Sequence, residues 1–204
     1  MKKATLLLLL IVLGCKKQDF DAQWTLEQAP AAFTARFETT QGTFDIAVTR
    51  DWSPKAADRL YQLVKHGYYD DAIFYRVVDG FVAQFGNTDT ITMNQWRAVK
   101  VPDEPVKFGN KKGMVSFARS GPVTRDLELF VNLKDNPVLD TLDFEGVRGF
   151  PAVGRVTQGM DVVEKLYSGY GETPMSDENL YANRNGFLAK YPELDLIKKA
   201  YLVE

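Results

Sequence analysis

Apolar and polar positions alternate with period two over "ARFETTQGTFDIAV", and the alternation breaks at Gln41-Gly42. This is the mark of a β-hairpin. The next segment, "SPKAADRLYQLVKHG", changes to helical period. Ser53 suits the N-cap, Pro54 the first helical position and Gly67 the stop, while Ala57, Leu60, Leu63 and Val64 give one apolar face. A second hairpin follows in "FYRVVDGFVAQFG", residues 74–86, and then an extended stretch through "WRAVKVPDEPV". "GMVSFA", "LELFVNL" and "AVGRV" read as further strands, and "GMDVVEKLY" as a short amphipathic helix carrying Met160, Val163 and Leu166. After Tyr170 the pattern predicts a loop, a short helix and a last strand near Lys199–Val203. Phe187, Leu188, Tyr191, Leu194, Ile197 and Leu202 need cover, so this extension is expected to pack on the domain. Strands dominate and lack the βαβ rhythm. The expected fold is therefore mainly β, a closed antiparallel barrel with helices over its ends.

The start of the chain has a different pattern. "MKKATLLLLLIVLGC" sets two lysines before an apolar run from Ala4 to Leu13, the length of a signal-peptide core and too short to span a bilayer comfortably. It ends in Val12-Leu13-Gly14-Cys15, which resembles a bacterial lipobox, and Cys15 is the single cysteine of the chain. A cysteine without disulfide or metal companions at that place is read as a lipidation site. The plainer alternative is a secretory signal with a chance cysteine. The expected organisation is a signal peptide over 1–14, a lipidated cysteine and tether over 15–35, the domain over 36–168 and the extension over 169–204. The expected location is the bacterial cell envelope, lipid-anchored, with the outer membrane facing the periplasm favoured.

Composition adds exclusions. The 204 residues are 45% hydrophobic and 25% charged with a net charge of −2, so nothing draws the chain to nucleic acid. His66 is the single histidine, there is no G-x-S-x-G, no Cys/His cluster and no Gly-rich phosphate loop, and "DTLDFEG" is too short for an EF-hand. No metal or cofactor is expected, and nothing suggests more than a monomer.

The second hairpin carries the chemistry. A three-residue loop at Asp79-Gly80-Phe81 pairs Val78 with Val82 and Arg76 with Gln84. Directly opposed Cβ atoms lie roughly 4.5–5.5 Å apart, so the glutamine carbonyl can orient the guanidinium. The alternative is that Arg76 reaches solvent or pairs with an acid.

"FYRVVDGFVAQFG", "GMVSFARSGP…ELFVNL" and "AVGRVTQGMDVVEKL", in that order between Arg36 and Leu166, resemble the cyclophilin family of peptidyl-prolyl isomerases. The resemblance implies an eight-stranded barrel capped by two helices, with the extension similar to those of bacterial members. It implies that Arg76 is the catalytic arginine and Gln84 its brace, and that Phe81, Val82, Phe130 and Leu139 wall a proline pocket. Ala118, Arg119 and Ser120 match the backbone segment that pairs with the bound peptide, and Phe150 falls at a position usually histidine or aromatic. The implied partners are proline-containing segments of envelope proteins. Glu128 stands where the family has glutamine, so a carboxylate could pair with Arg76 and lower turnover, or favour peptides with a basic flanking residue. Arg119 replaces an asparagine that acts through its backbone. Tyr75 replaces a histidine, and strand alternation points it away from Arg76. No tryptophan stands near Pro137-Val138, which implies weak cyclosporin binding. Besides the enzyme, a low-turnover proline-peptide binding module and a purely structural envelope lipoprotein stay open.

Overall fold

The computed structural model describes residues 19–203, so Cys15 and the signal expected before it lie outside the described residues. Among the described residues ten strands form in chain order: β1 Ala32–Thr39, β2 Thr43–Thr49, β3 Ile73–Val78, β4 Val82–Gly86, β5 Met114–Phe117, β6 Leu129–Asn132, β7 Asp143–Phe144, β8 Val147–Arg148, β9 Ala152–Gln158 and β10 Ile197–Val203. Eight of them make one antiparallel sheet in the order β10-β1-β2-β9-β5-β6-β4-β3, and β7 and β8 form a small separate hairpin. The sheet curls until its two edges meet. Closure is local: Phe74 N–H donates to Asp195 C=O at 3.0 Å and Ile197 N–H to Ala72 C=O at 2.9 Å, with one bridge between Ile73 and Leu196.

The helices are α1 Pro54–Lys65, α2 Thr90–Arg97, α3 Val138–Thr141, α4 Met160–Glu164, α5 Asn179–Ala182 and α6 Arg184–Lys190. In α1, Ala57, Leu60, Leu63 and Val64 are buried as the period requires. Ser53 flanks the helix without capping it through its side chain. The cap is supplied from elsewhere, because Glu104 accepts from the Lys55 amide at 2.9 Å and the Ala56 amide at 3.2 Å. α2 replaces the extended run expected through Trp96 and Arg97. Asp89 caps it, accepting from the Ile91 and Thr92 amides, and Met93 and Trp96 pin its inner face.

The tether expected over 15–35 does not run free through its described part. Ala22–Leu26 forms a 3-10 turn. Trp24 stacks on His66 with ring centroids 4.1 Å apart and planes 5° from parallel, and β1 already begins at Ala32. Burying an indole outweighs the ordering cost of these few residues.

The barrel interior is aromatic. Phe37 and Phe44 stack at 5.1 Å, and Phe85 contacts Phe37, Tyr69 and Phe74. A second cluster lies outside β3, where Ile73 and Tyr75 pack with Leu180, Phe187, Tyr191 and Leu194. The C-terminal extension thus covers β3 and also supplies β10, the edge strand that pairs with β1.

Candidate active site

The hairpin of β3 and β4 has the expected register, Val78 opposite Val82 and Arg76 opposite Gln84. Gly80 takes the left-handed φ of +62° that the tight loop demands. The loop is fastened to the turn after β6, since Phe81 C=O accepts from the Leu133 amide at 2.9 Å and from Asn136 Nδ2 at 3.0 Å. Phe81 is thereby held at the mouth of a cavity of about 350 Å³.

All the residues named from sequence line this cavity: Arg76, Phe81, Val82, Gln84, Ala118, Arg119, Ser120, Glu128, Phe130, Leu139 and Phe150. Val82, Phe130, Leu139 and Phe150 form one buried apolar cluster, with Phe81 and Ala118 packed against it. Phe130 and Phe150 meet edge to face at 5.8 Å. Leu139 comes from α3, and its carbonyl accepts from the Phe150 amide at 2.8 Å, which fixes both side chains of the slot.

Arg76 is mounted on this slot by named contacts. Nη1 donates to Gln84 Oε1 at 3.1 Å, and the guanidinium lies over the Phe81 ring at 5.4 Å. Gln84 Nε2 donates in turn to the Tyr75 hydroxyl at 2.8 Å, which fixes which end of the amide faces the arginine. Tyr75 therefore belongs to the support of the site, against the expectation from strict alternation. The cause is a register shift between Ile73 and Arg76, where β3 gains one residue relative to β4. Such a bulge re-aims the side chains on either side of it. Burial, reinforced by the charge of Glu128, holds the Tyr75 phenol well above its ordinary pKa, so it stays protonated.

Glu128 does not meet Arg76. Its Oε1 accepts from the Tyr181 hydroxyl at 2.8 Å and lies 3.6 Å from Arg97 Nη2. Arg97 also lies 3.6 Å from Asp126, whose carboxyl is pushed up by burial against the pull of Arg97 and Arg59. This charged end of the cavity was missed from sequence because Arg97 rides on the unexpected α2. Phe144 of β7, Thr124 and Met175 complete the lining.

Arg119 presents only its backbone to the groove. Its side chain is 0% exposed and donates through Nη2 to Val147 C=O at 2.6 Å, with the guanidinium 4.8 Å from the Phe150 ring. Burial lowers its pKa, opposed by Asp103. Val138, near the site of the missing tryptophan, is exposed.

The carboxylate that does reach Arg76 is Glu172. Its Oε1 accepts from Nε at 3.1 Å and also from Nη2. No sequence signal marked it, because 96 residues separate it from Arg76. Among the described residues no group of three or more His, Cys, Asp or Glu is placed to hold a metal ion.

This arrangement has known counterparts. The sequence profile described as "Cyclophilin type peptidyl-prolyl cis-trans isomerase/CLD" matches residues 34–184. Peptidyl-prolyl cis-trans isomerase B of Escherichia coli is 28% identical over 178 residues, covering 82% of this chain and 97% of the relative. An Arabidopsis thaliana peptidyl-prolyl cis-trans isomerase is 31% identical over 151 residues, covering 70% and 89%. A crystal structure of a Cryptosporidium parvum cyclophilin aligns with a TM-score of 0.61 at 18% identity, covering 85% of this chain and 98% of that one. With the fold, the apolar slot and the matched profile in agreement, the chain belongs to the cyclophilin family and is a peptidyl-prolyl cis-trans isomerase.

Proposed function

We propose that Arg76 accelerates the rotation of X–Pro bonds by donating a hydrogen bond to the prolyl nitrogen as the amide twists. Rotation is slow because twisting breaks amide resonance, at a barrier of about 20 kcal/mol. No covalent bond is made or broken, so no nucleophile, metal or acid–base pair is required. The twisted nitrogen regains its lone pair, and a hydrogen bond to it is stronger in the transition state than in the planar ground state. Arginine suits the task because it stays charged and donates from a rigid plane. The slot of Val82, Phe130, Leu139 and Phe150 would take the pyrrolidine ring, and the backbone of Ala118–Ser120 would pair with the peptide.

The observation that carries this reading is the Arg76 Nη1–Gln84 Oε1 bond at the lip of that slot, since it aims a fixed cation where the imide would sit. The low-turnover binding module rests on Glu128 pairing with Arg76. That carboxylate is engaged instead by Tyr181 and Arg97. Isomerisation of a proline-containing peptide, measured beside Arg76→Ala, tests the reading. Collapse of the rate in the variant supports it, and peptide binding without acceleration by the intact chain refutes it.

The setting belongs to the same proposal. The lysine start, apolar run and Cys15 of "MKKATLLLLLIVLGC" support a lipid-anchored folding helper of the cell envelope, acting on proline-containing segments of envelope proteins. Mass spectrometry of the membrane fraction is expected to show an acylated Cys15 as the first residue, and an unmodified cysteine refutes the anchor.

A further inference from the structure

We infer that Glu172 is a second positioning residue of the isomerase site, a brace that the C-terminal segment holds against the back of Arg76. The inference rests on Arg76 being the donor. A guanidinium carries five N–H groups. Nε and Nη2 each give one to Glu172, and Nη1 gives one to Gln84. Two remain, one on each terminal nitrogen. Nε and Nη2 are the side edge of the guanidinium, so Glu172 grips the edge next to the stem and leaves the far edge to donate. One side chain on each flank stops the plane from turning about its stem. A donor already set in its working orientation loses less freedom as the amide twists.

The backbone around Glu172 is pinned, which separates a brace from a swinging competitor. Gly171 forms a β-bridge with Val77, the residue after Arg76. Tyr170 packs edge-on against Tyr167 at 4.9 Å and Tyr191 at 5.2 Å, and Pro174 is buried. The Glu172 side chain itself is 59% exposed, so its carboxylate is solvated and does not fill the proline slot. A bridge with one solvated partner contributes modestly, and the expected effect is correspondingly small.

The test compares Glu172→Ala and Glu172→Gln with the intact chain. Removing the brace is expected to lower kcat/KM roughly three- to fivefold through kcat, with KM unchanged. Glutamine keeps a carbonyl that can accept from Nε, so it is expected to restore at least half of the rate, which a charge effect alone would not do. A rate in Glu172→Ala equal to or above that of the intact chain overturns the inference, and a higher rate would identify Glu172 as a restraint on the arginine. A second readout does not depend on turnover. The Arg76 Nε–H, assigned by its loss in Arg76→Lys, is expected as a resolved NMR signal protected from water in the intact chain, absent in Glu172→Ala and present in Glu172→Gln. An unchanged Nε–H in Glu172→Ala also overturns the brace. If the intact chain shows no turnover, the enzyme reading fails and this signal still decides whether the brace exists.

Discussion

Two arginine clusters flank the same groove and are built in opposite ways. At the mouth, Arg76 has bonded partners on both flanks, and its side chain stays 19% exposed with two N–H groups uncommitted. Behind the groove, Arg119 and Arg125 are sealed in with Asp103 and Glu104, at 0% and 1% exposure. There Asp103 Oδ1 lies 3.7 Å from Arg119 Nη1 and 3.8 Å from Arg125 Nε, close enough for an ion pair but beyond hydrogen-bond reach, and Arg119 Nε, Arg119 Nη1 and Arg125 Nε have no hydrogen-bond partner. The rear cluster is costly to bury and ties distant segments together: Arg125 bonds Pro102 C=O and the Ser53 hydroxyl, and Arg119 bonds Val147 C=O. The same side chain serves as a tool where its uncommitted donors face the groove and as a strut where it is sealed from solvent.

Substitutions should separate the two. Arg76→Ala is expected to lower turnover about 100-fold, the scale of losing one aimed donor, while leaving Tm nearly unchanged. Arg125→Ala is expected to do the reverse. Stranding the Glu104 carboxylate in the interior should cost about 3 kcal/mol, or roughly 6–12 °C in Tm, with kcat much less affected in the protein that remains folded. A variant of either residue that moved both quantities together would break the distinction.

The smallest effect expected is on the acid side. Burial pushes the Glu104 carboxyl up, but the Lys55 amide, the Ser53 hydroxyl and Arg125 more than offset it, so its pKa lies below the ordinary 4.5. A carboxyl depressed in the folded state binds fewer protons there than in the unfolded chain. Its contribution to stability is complete above pH 4.5 and is lost as pH falls through the lower folded value. Denaturation followed from pH 6 down to 3 should show this limb, and Glu104→Gln should flatten it. An unchanged acid limb in that variant would remove Glu104 from the account of the rear cluster.

Local signals carried the sequence reading where neighbours along the chain decide the structure. Asp79-Gly80 and the alternation around it give the register of Arg76 and Gln84, and the spacing of Leu60, Leu63 and Val64 gives α1. The reading failed where one inserted residue or one distant partner decides. The bulge in β3 brings Tyr75 onto Gln84, and simple alternation cannot express it. α2 is short, and "TITMNQWR" is rich in β-branched residues that do not favour helix; the signal available was Asp89 as an N-cap. Trp24 looked like part of a tether because its cover, His66, lies 42 positions away. Glu172 could not be read at all, since a carboxylate in a loop gives no sign of which cation it will meet.

The seating of β10 against β1 has a consequence for how the chain is made. β1 ends at Thr39, among the first residues of the sheet to leave the ribosome, and its pairing with β10 involves Val203. Throughout synthesis β1 therefore carries an open row of backbone donors and acceptors on one side. The sheet cannot complete that edge until the residues up to Val203 have been delivered. A nascent chain in that state is prone to pair with a stranger. By the same token it keeps a form that can still be threaded through a narrow opening. A prolyl isomerase thus has a slow step of its own, set by the distance along the chain between β1 and β10.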